Sequence, residues 1–267
     1  MKHEHSLDTL CAALTTAMGI EAPENAAPAN EILVDYVNKT LGGEHVDRIF
    51  MYNPDAIATW LYQKYPHFFS TLKERTGIDL PLCTVMPSVT PVCFGTMYTG
   101  AQPEIHGIQA YEKPVIKIDT IFDALIRAGK RAAIVSTAGD SMSSIYLERE
   151  MDYYIYPSLE EVNAKAAELI IDDKYDFIAV YNGNYDGFMH RYAPESAEAL
   201  AELRANVRTY GIFDAMIREH WKNHRTLVGF ATDHGCHEID GGCGSHGLAM
   251  DEDLNVTHFY RVYNAEG

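Results

Sequence analysis

Apolar residues follow two rhythms along this chain. From Val46 onward, continuous apolar runs of strand length recur: RIFMY at 48–52, AAIV at 132–135, FIAVY at 177–181 and TLVGFA at 226–231. Between them the spacing turns helical. DTIFDALIRAG at 119–129 predicts a helix closed by a glycine, 158–171 predicts another, and 195–220 a long one with Leu200, Leu203, Val207, Tyr210 and Ile217 on one face. VTHFYRVYN predicts a further strand near the end. Continuous apolar strands separated by helices predict an α/β fold, with a mostly parallel central sheet covered by helices on both faces.

Upstream of Val46 the pattern is helical only. A short helix is expected over 6–19 and a second over 29–41, entered after Pro28 and stopped by Gly42-Gly43. Residues 1–45 therefore read as a helical appendage to a single compact domain over 46–267, with no repeat, low-complexity tract or linker between them.

Composition narrows the function classes. The 267 residues are 47% hydrophobic and 22% charged, the balance of a folded globular protein. Lys plus Arg number 21 against 38 Asp plus Glu, a net charge of −17, which disfavours nucleic-acid and anionic-membrane binding. Any anionic substrate then needs local positive charge, which a metal ion would supply. The first residues lack the basic region and apolar run of a secretion signal, and no run reaches a membrane span, so a cytoplasmic location is expected. Five cysteines at irregular spacing fit reduced thiols better than a disulfide framework.

In parallel sheets chemistry gathers at the carboxyl ends of the strands. The residues just past those ends are Asp55, Thr90, Asp186 and the pair Asp233-His234. Thr90-Pro91 reads locally as a helix start, with Thr as the cap and Pro as the first helical residue; alternatively, the Thr90 hydroxyl stands at a positive helix terminus that suits a phosphate group. Asp186 and His190 are four apart, a spacing that puts both on one face of a helix. ATDHGCHEIDGGCGSHG packs Asp233, His234, Cys236, His237, Glu238, Asp240, Cys243 and His246 into one short segment. Clustered His and Asp suggest Zn²⁺, with Mn²⁺ or Fe fitting similar ligands. A structural site from Cys236, Cys243, His237 and His246 lacks the usual ligand spacing, so the two cysteines read as packing residues.

Taken in order, these motifs resemble the alkaline phosphatase superfamily, and most closely its type I phosphodiesterase/nucleotide pyrophosphatase branch. VMPSVTPVCFGTMYTGAQPEIHGI (85–108) is similar to that branch's nucleophile block, YDGFMHRYAP to its D-x-x-G-H-x-x-G-P block, TDHG to its Asp-His-Gly signature and SHG (245–247) to its final histidine. NPDAIATWL (53–61) resembles its first block, a strand followed by Asp-Gly. The resemblance spans roughly residues 46–260 and departs at Ala56, Met189 and Ala193, where glycine is usual, and at Cys93, where an Asn donor to the phosphoryl oxygen is usual.

The resemblance implies a binuclear metal hydrolase. Asp55, Thr90, Asp233 and His234 would hold one cation, and Asp186, His190 and His246 the other. Thr90 would attack phosphorus, form a phospho-threonine and be released by water. A small phosphorylated or nucleotide substrate is expected, cleaved at a phosphodiester or pyrophosphate bond, with Cys93 as the substrate contact in place of Asn. Specificity falls to short loops, with Tyr98, Tyr185 and Tyr192 as candidates, because the chain has little room for an inserted cap. A phosphomonoesterase and a phosphonoacetate-type hydrolase are alternatives; a monoesterase would bring an Arg clamp, and Arg191 is the one Arg inside the matched blocks. A sulfatase is disfavoured by the absence of C-x-P-x-R. A catalytically silent metal-binding module is the alternative of another class.

Overall fold

The computed structural model describes residues 3–266. Its strands are β1 (His5–Ser6), β2 (Arg48–Pro54), β3 (Ile78–Cys83), β4 (Ala132–Thr137), β5 (Asp152–Tyr156), β6 (Phe177–Asn182), β7 (Thr226–Phe230), β8 (His237–Ile239), β9 (Cys243–Ser245) and β10 (Asn255–Tyr263). The α-helices are α1 (Thr9–Ala17), α2 (Glu31–Leu41), α3 (Thr59–Lys64), α4 (Ser70–Arg75), α5 (Thr90–Thr99), α6 (Pro103–His106), α7 (Ile121–Arg127), α8 (Met142–Ile145), α9 (Leu159–Asp172), α10 (Asn184–Tyr192), α11 (Ala197–His220) and α12 (Asp251–Leu254).

Eight strands form one sheet in the order β1-β3-β10-β7-β2-β6-β4-β5. Only β10 runs against the rest, antiparallel to both β3 and β7. The carboxyl ends of β2, β3, β6 and β7 therefore share one edge of the sheet. All six residues of β6 are buried, as a strand covered on both faces requires. Each such apolar side chain contributes about 1.5–3 kcal/mol by leaving water. One core layer gathers Leu10, Leu14, Leu33, Phe94 and Phe122 from α1, α2, α5 and α7. The other gathers Val162, Leu169, Leu203, Val207 and Tyr210 from α9 and α11 on the opposite face.

The helices start and stop where their end residues dictate. Asn30 caps α2 by accepting from the Leu33 N–H, and Gly42 ends it at φ +64°. Ser196 caps α11 in the same way. The N-terminal segment contributes to the core: β1 pairs with β3, and Leu7, Leu10, Cys11 and Leu14 are completely buried in the first layer. A two-residue strand carries no periodicity, so its pairing could not be read locally. The edge strand β5 and the β8–β9 hairpin were unanticipated for similar reasons, being half-exposed or three residues long. Among the described residues, no helix is long and apolar enough to cross a membrane, and none of the five cysteines forms a disulfide.

Candidate metal centre

Four strand ends deliver the site. Asp55 follows β2, and Asp233-His234 follows β7, its neighbour in the sheet. Asp186 and His190 lie in the first and last turns of α10, just after β6. His246 follows β9, and Thr90 opens α5.

Thr90 is the first residue of α5, and the cap position is held by Val89 with no side-chain capping bond. The reading of Thr90 as a helix cap is thereby corrected by one residue. Its hydroxyl is free of capping and lies 3.3 Å from Asp55 Oδ2 and 3.3 Å from His234 Nε2.

The ligating atoms fall into two groups able to hold a metal ion: Asp55, Asp233 and His234, and Asp186, His190 and His246. In the first, His234 Nε2 lies 3.3 Å from Asp55 Oδ1 and 3.4 Å from Asp233 Oδ2. In the second, Asp186 Oδ1 lies 3.3 Å from His190 Nε2 and 3.4 Å from His246 Nε2, and the two imidazole nitrogens are 3.1 Å apart. Ligands bound tetrahedrally at about 2.0–2.1 Å stand about 3.3 Å from one another, so both triangles have the size a small cation requires. Asp55 Oδ1, Asp186 Oδ1 and Asp233 Oδ2 are also buried without a hydrogen-bond partner. Orphaned carboxylate oxygens are costly unless something cationic meets them.

The imidazoles are oriented alike. Nδ1 of His190, His234 and His246 lies 3.0, 2.9 and 2.9 Å from the carbonyl oxygens of Gly244, Gly235 and Ser88. An Nδ1–H donating to a carbonyl fixes the tautomer and leaves the Nε2 lone pair facing the cluster. The rings of His234 and His246 stack with centroids 4.0 Å apart, which joins the two groups into one centre.

Protonation differs between the groups. Burial pushes Asp55 up to about 7, aided by the charge of Asp186, and raises Asp233 well above the carboxylate range. Burial drives His234 down to about 3. Contact with the Asp186 carboxylate, 3.3 Å away, lifts His190 to about 9. Burial opposes charge on both His246 and Asp186, yet their mutual interaction raises the first and, together with His190, lowers the second.

The sequence profile of the type I phosphodiesterase / nucleotide pyrophosphatase family matches residues 52–264. The chain belongs to this family. Among solved structures it is similar to human ectonucleotide pyrophosphatase / phosphodiesterase 5, with TM-score 0.59 and 18% identity over 72% of this chain and 58% of that one. The inactive murine form in complex with AMP gives TM-score 0.57 and 18% identity over 73% and 59%. Phosphonoacetate hydrolase from Sinorhizobium meliloti 1021, in complex with phosphonoformate, gives 0.52 and 19% over 74% and 59%. The chain thus spans under two thirds of the length of these structures, and the likeness is one of fold. No curated protein matches the chain by sequence.

The departures from the family pattern each have a place. Ala56 sits at φ +62° and Ala193 at φ +75°, so both keep the backbone conformation that glycine would adopt freely. Such residues cost about 1–3 kcal/mol each. Met189 is buried beside Gly244, where a Cβ would lie 2.2 Å from its sulfur. Cys93 is fully buried, and its sulfur accepts from the Thr84 hydroxyl at 3.1 Å. Tyr98 and Tyr185 are core residues, whereas Tyr192 is 39% exposed. Arg191 is exposed and stacks over Tyr192. Cys236, Cys243 and His237 bond elsewhere: to Tyr185, to the Arg191 carbonyl and to Asp253. Sequence reasoning missed Tyr181, whose buried hydroxyl donates to Asp55. Its position at the end of β6 was the available signal.

Proposed function

We propose that this protein is a metal-dependent hydrolase of phosphodiester or nucleotide pyrophosphate bonds that works through a phospho-threonine on Thr90. The reading is supported above all by the two ligand triangles with orphaned carboxylate oxygens, one of them bordered by the uncapped Thr90 hydroxyl. Asp55, Asp233, His234 and Thr90 would hold one cation and Asp186, His190 and His246 the other, with zinc the best match to mixed nitrogen and oxygen donors. When bound, such cations neutralise phosphoryl oxygens and lower the pKa of the Thr90 hydroxyl and of water.

Thr90 Oγ1 attacks phosphorus in line as the bond to the leaving oxygen breaks, and water then cleaves the phospho-threonine and restores the hydroxyl. At the N-terminus of α5 the Thr90 N–H would serve the phosphoryl oxygens, since Pro91 has no N–H and those of Val92 and Cys93 donate to the Val89 carbonyl. Tyr181 and the Gly235, Gly244 and Ser88 carbonyls hold Asp55 and the three imidazoles in place through this exchange. With the substituted Asn position turned to Thr84, no side chain at Cys93 serves the phosphoryl oxygen, and that charge falls to the cations and the helix terminus.

The test is hydrolysis of a chromogenic phosphodiester, the matching monoester and a phosphonate, side by side on zinc-reconstituted protein with Thr90→Ala as control. Faster diester turnover that depends on Thr90 supports the reading. Monoester or phosphonate preference moves the substrate class, and turnover by Thr90→Ala overturns the nucleophile.

A further inference from the structure

His246 reaches the centre from residues 246–250, a stretch outside helix and strand. What holds this stretch is a buried pair that the metal chemistry does not use. Asp253 is wholly buried, and its Oδ1 lies 2.7 Å from His237 Nδ1. Its Oδ2 accepts from the Leu248 N–H at 2.8 Å, two residues past His246, and its carbonyl accepts from the Gly235 N–H at 2.8 Å, one residue past His234. One aspartate therefore ties the segment carrying His234 to the segment carrying His246. The approach is so close that a Cβ on Gly235 would lie 2.0 Å from the Glu252 carbonyl oxygen. The other side of the seam is pinned by Trp60 Nε1, which donates to the Cys236 carbonyl at 2.8 Å.

We infer that His237 and Asp253 are positioning residues: the pair sets the placement of His246 and thereby decides whether the Asp186, His190, His246 group binds its cation. A carboxylate that already accepts from one backbone N–H needs a second donor to keep its rotamer, and His237 supplies it. Without it Asp253 is free to turn, Leu248 N–H loses its acceptor, and His246 Nε2 leaves the triangle. The Asp55, Asp233, His234 group stands on strand ends and keeps its ion. This inference rests on the two-metal reading above.

The experiment is zinc content and zinc competition against a chelating dye in the full chain, comparing wild type, His237→Ala, His237→Asn and Trp60→Phe. An Asn amide N–H stands close to the place of Nδ1 and restores the bond. Expected are two equivalents for wild type, one for His237→Ala, and two for both His237→Asn and Trp60→Phe, with the second zinc at least about tenfold weaker in His237→Ala. If His237→Ala does not fold, the double variant His237→Phe with Asp253→Asn removes the bond without stranding a buried charge, and it must show the same loss. A folded His237→Ala or double variant with two equivalents at wild-type affinity overturns the inference, as does His237→Asn behaving like His237→Ala. Wild type that binds fewer than two zinc ions overturns the two-metal reading itself, and the positioning role with it.

Discussion

The two halves of the candidate metal centre contain the same donor types in opposite surroundings. Asp55, Asp233 and His234 are at most 1% exposed and stand on adjacent strands, so burial dominates and each is driven toward its neutral form. In the other half the His190 side chain is 43% exposed, and contact with Asp186 dominates, so its histidines are raised and its aspartate lowered. One half is a preformed cavity for a cation. The other is an ion-paired cluster that must give up protons to receive one.

The sharpest break in this comparison is Thr90→Ala, which removes the proposed nucleophile from beside the buried half and leaves its carboxylates in place. Turnover is expected to fall by about a thousandfold or more while zinc content and fold persist. Replacing Asp186 or His246 with Ala is expected to lower zinc content by about one equivalent, measured by elemental analysis; unchanged stoichiometry would remove those residues from the ligand set.

The response to pH sharpens the comparison further. In metal-free protein His190 is raised to about 9 and Asp55 to about 7. A raised folded pKa gives stability that is present below the unfolded value and lost as pH rises through the folded one. Melting temperature without metal should therefore decline between about pH 6 and 9. The same rise in pH frees the ligands, so the increase in melting temperature on adding zinc should grow over that range. A zinc effect that shrinks with rising pH would contradict the assigned ligands.

The smallest expected effect is at Ala193. Gly there relieves the φ of +75° and should raise stability by about 1 kcal/mol in denaturant unfolding, with zinc content unchanged. At Ala56 the gain is offset by loss of a buried methyl group.

Legibility followed the range of the interaction. β2, β4, β6, β7 and the long helix α11 announce themselves by local periodicity. Asp186 and His190 announce themselves by a four-residue spacing within one helix. What stayed hidden depends on partners far along the chain. His237 looks like a spare histidine until Asp253 meets it, and Tyr181 looks like a core aromatic until its hydroxyl reaches Asp55. Cys93 occupies the expected position in its motif, yet its sulfur is turned inward and accepts from the Thr84 hydroxyl. The burial of the first 45 residues stayed hidden because it depends on surfaces of α5 and β3 that no local window contains.

The lone reversed strand has a consequence for how the molecule is assembled. Strand β10 lies between β3 and β7, so the described residues before it provide two disconnected sheet fragments, β1-β3 with β3 at its edge and β7-β2-β6-β4-β5 with β7 at its edge. Both fragments present open edges until residues 255–263 thread between them. Folding that proceeds from the N-terminus during synthesis must therefore wait with two unpaired strands exposed, a slow, non-local closing step at which self-association competes with completion of the sheet.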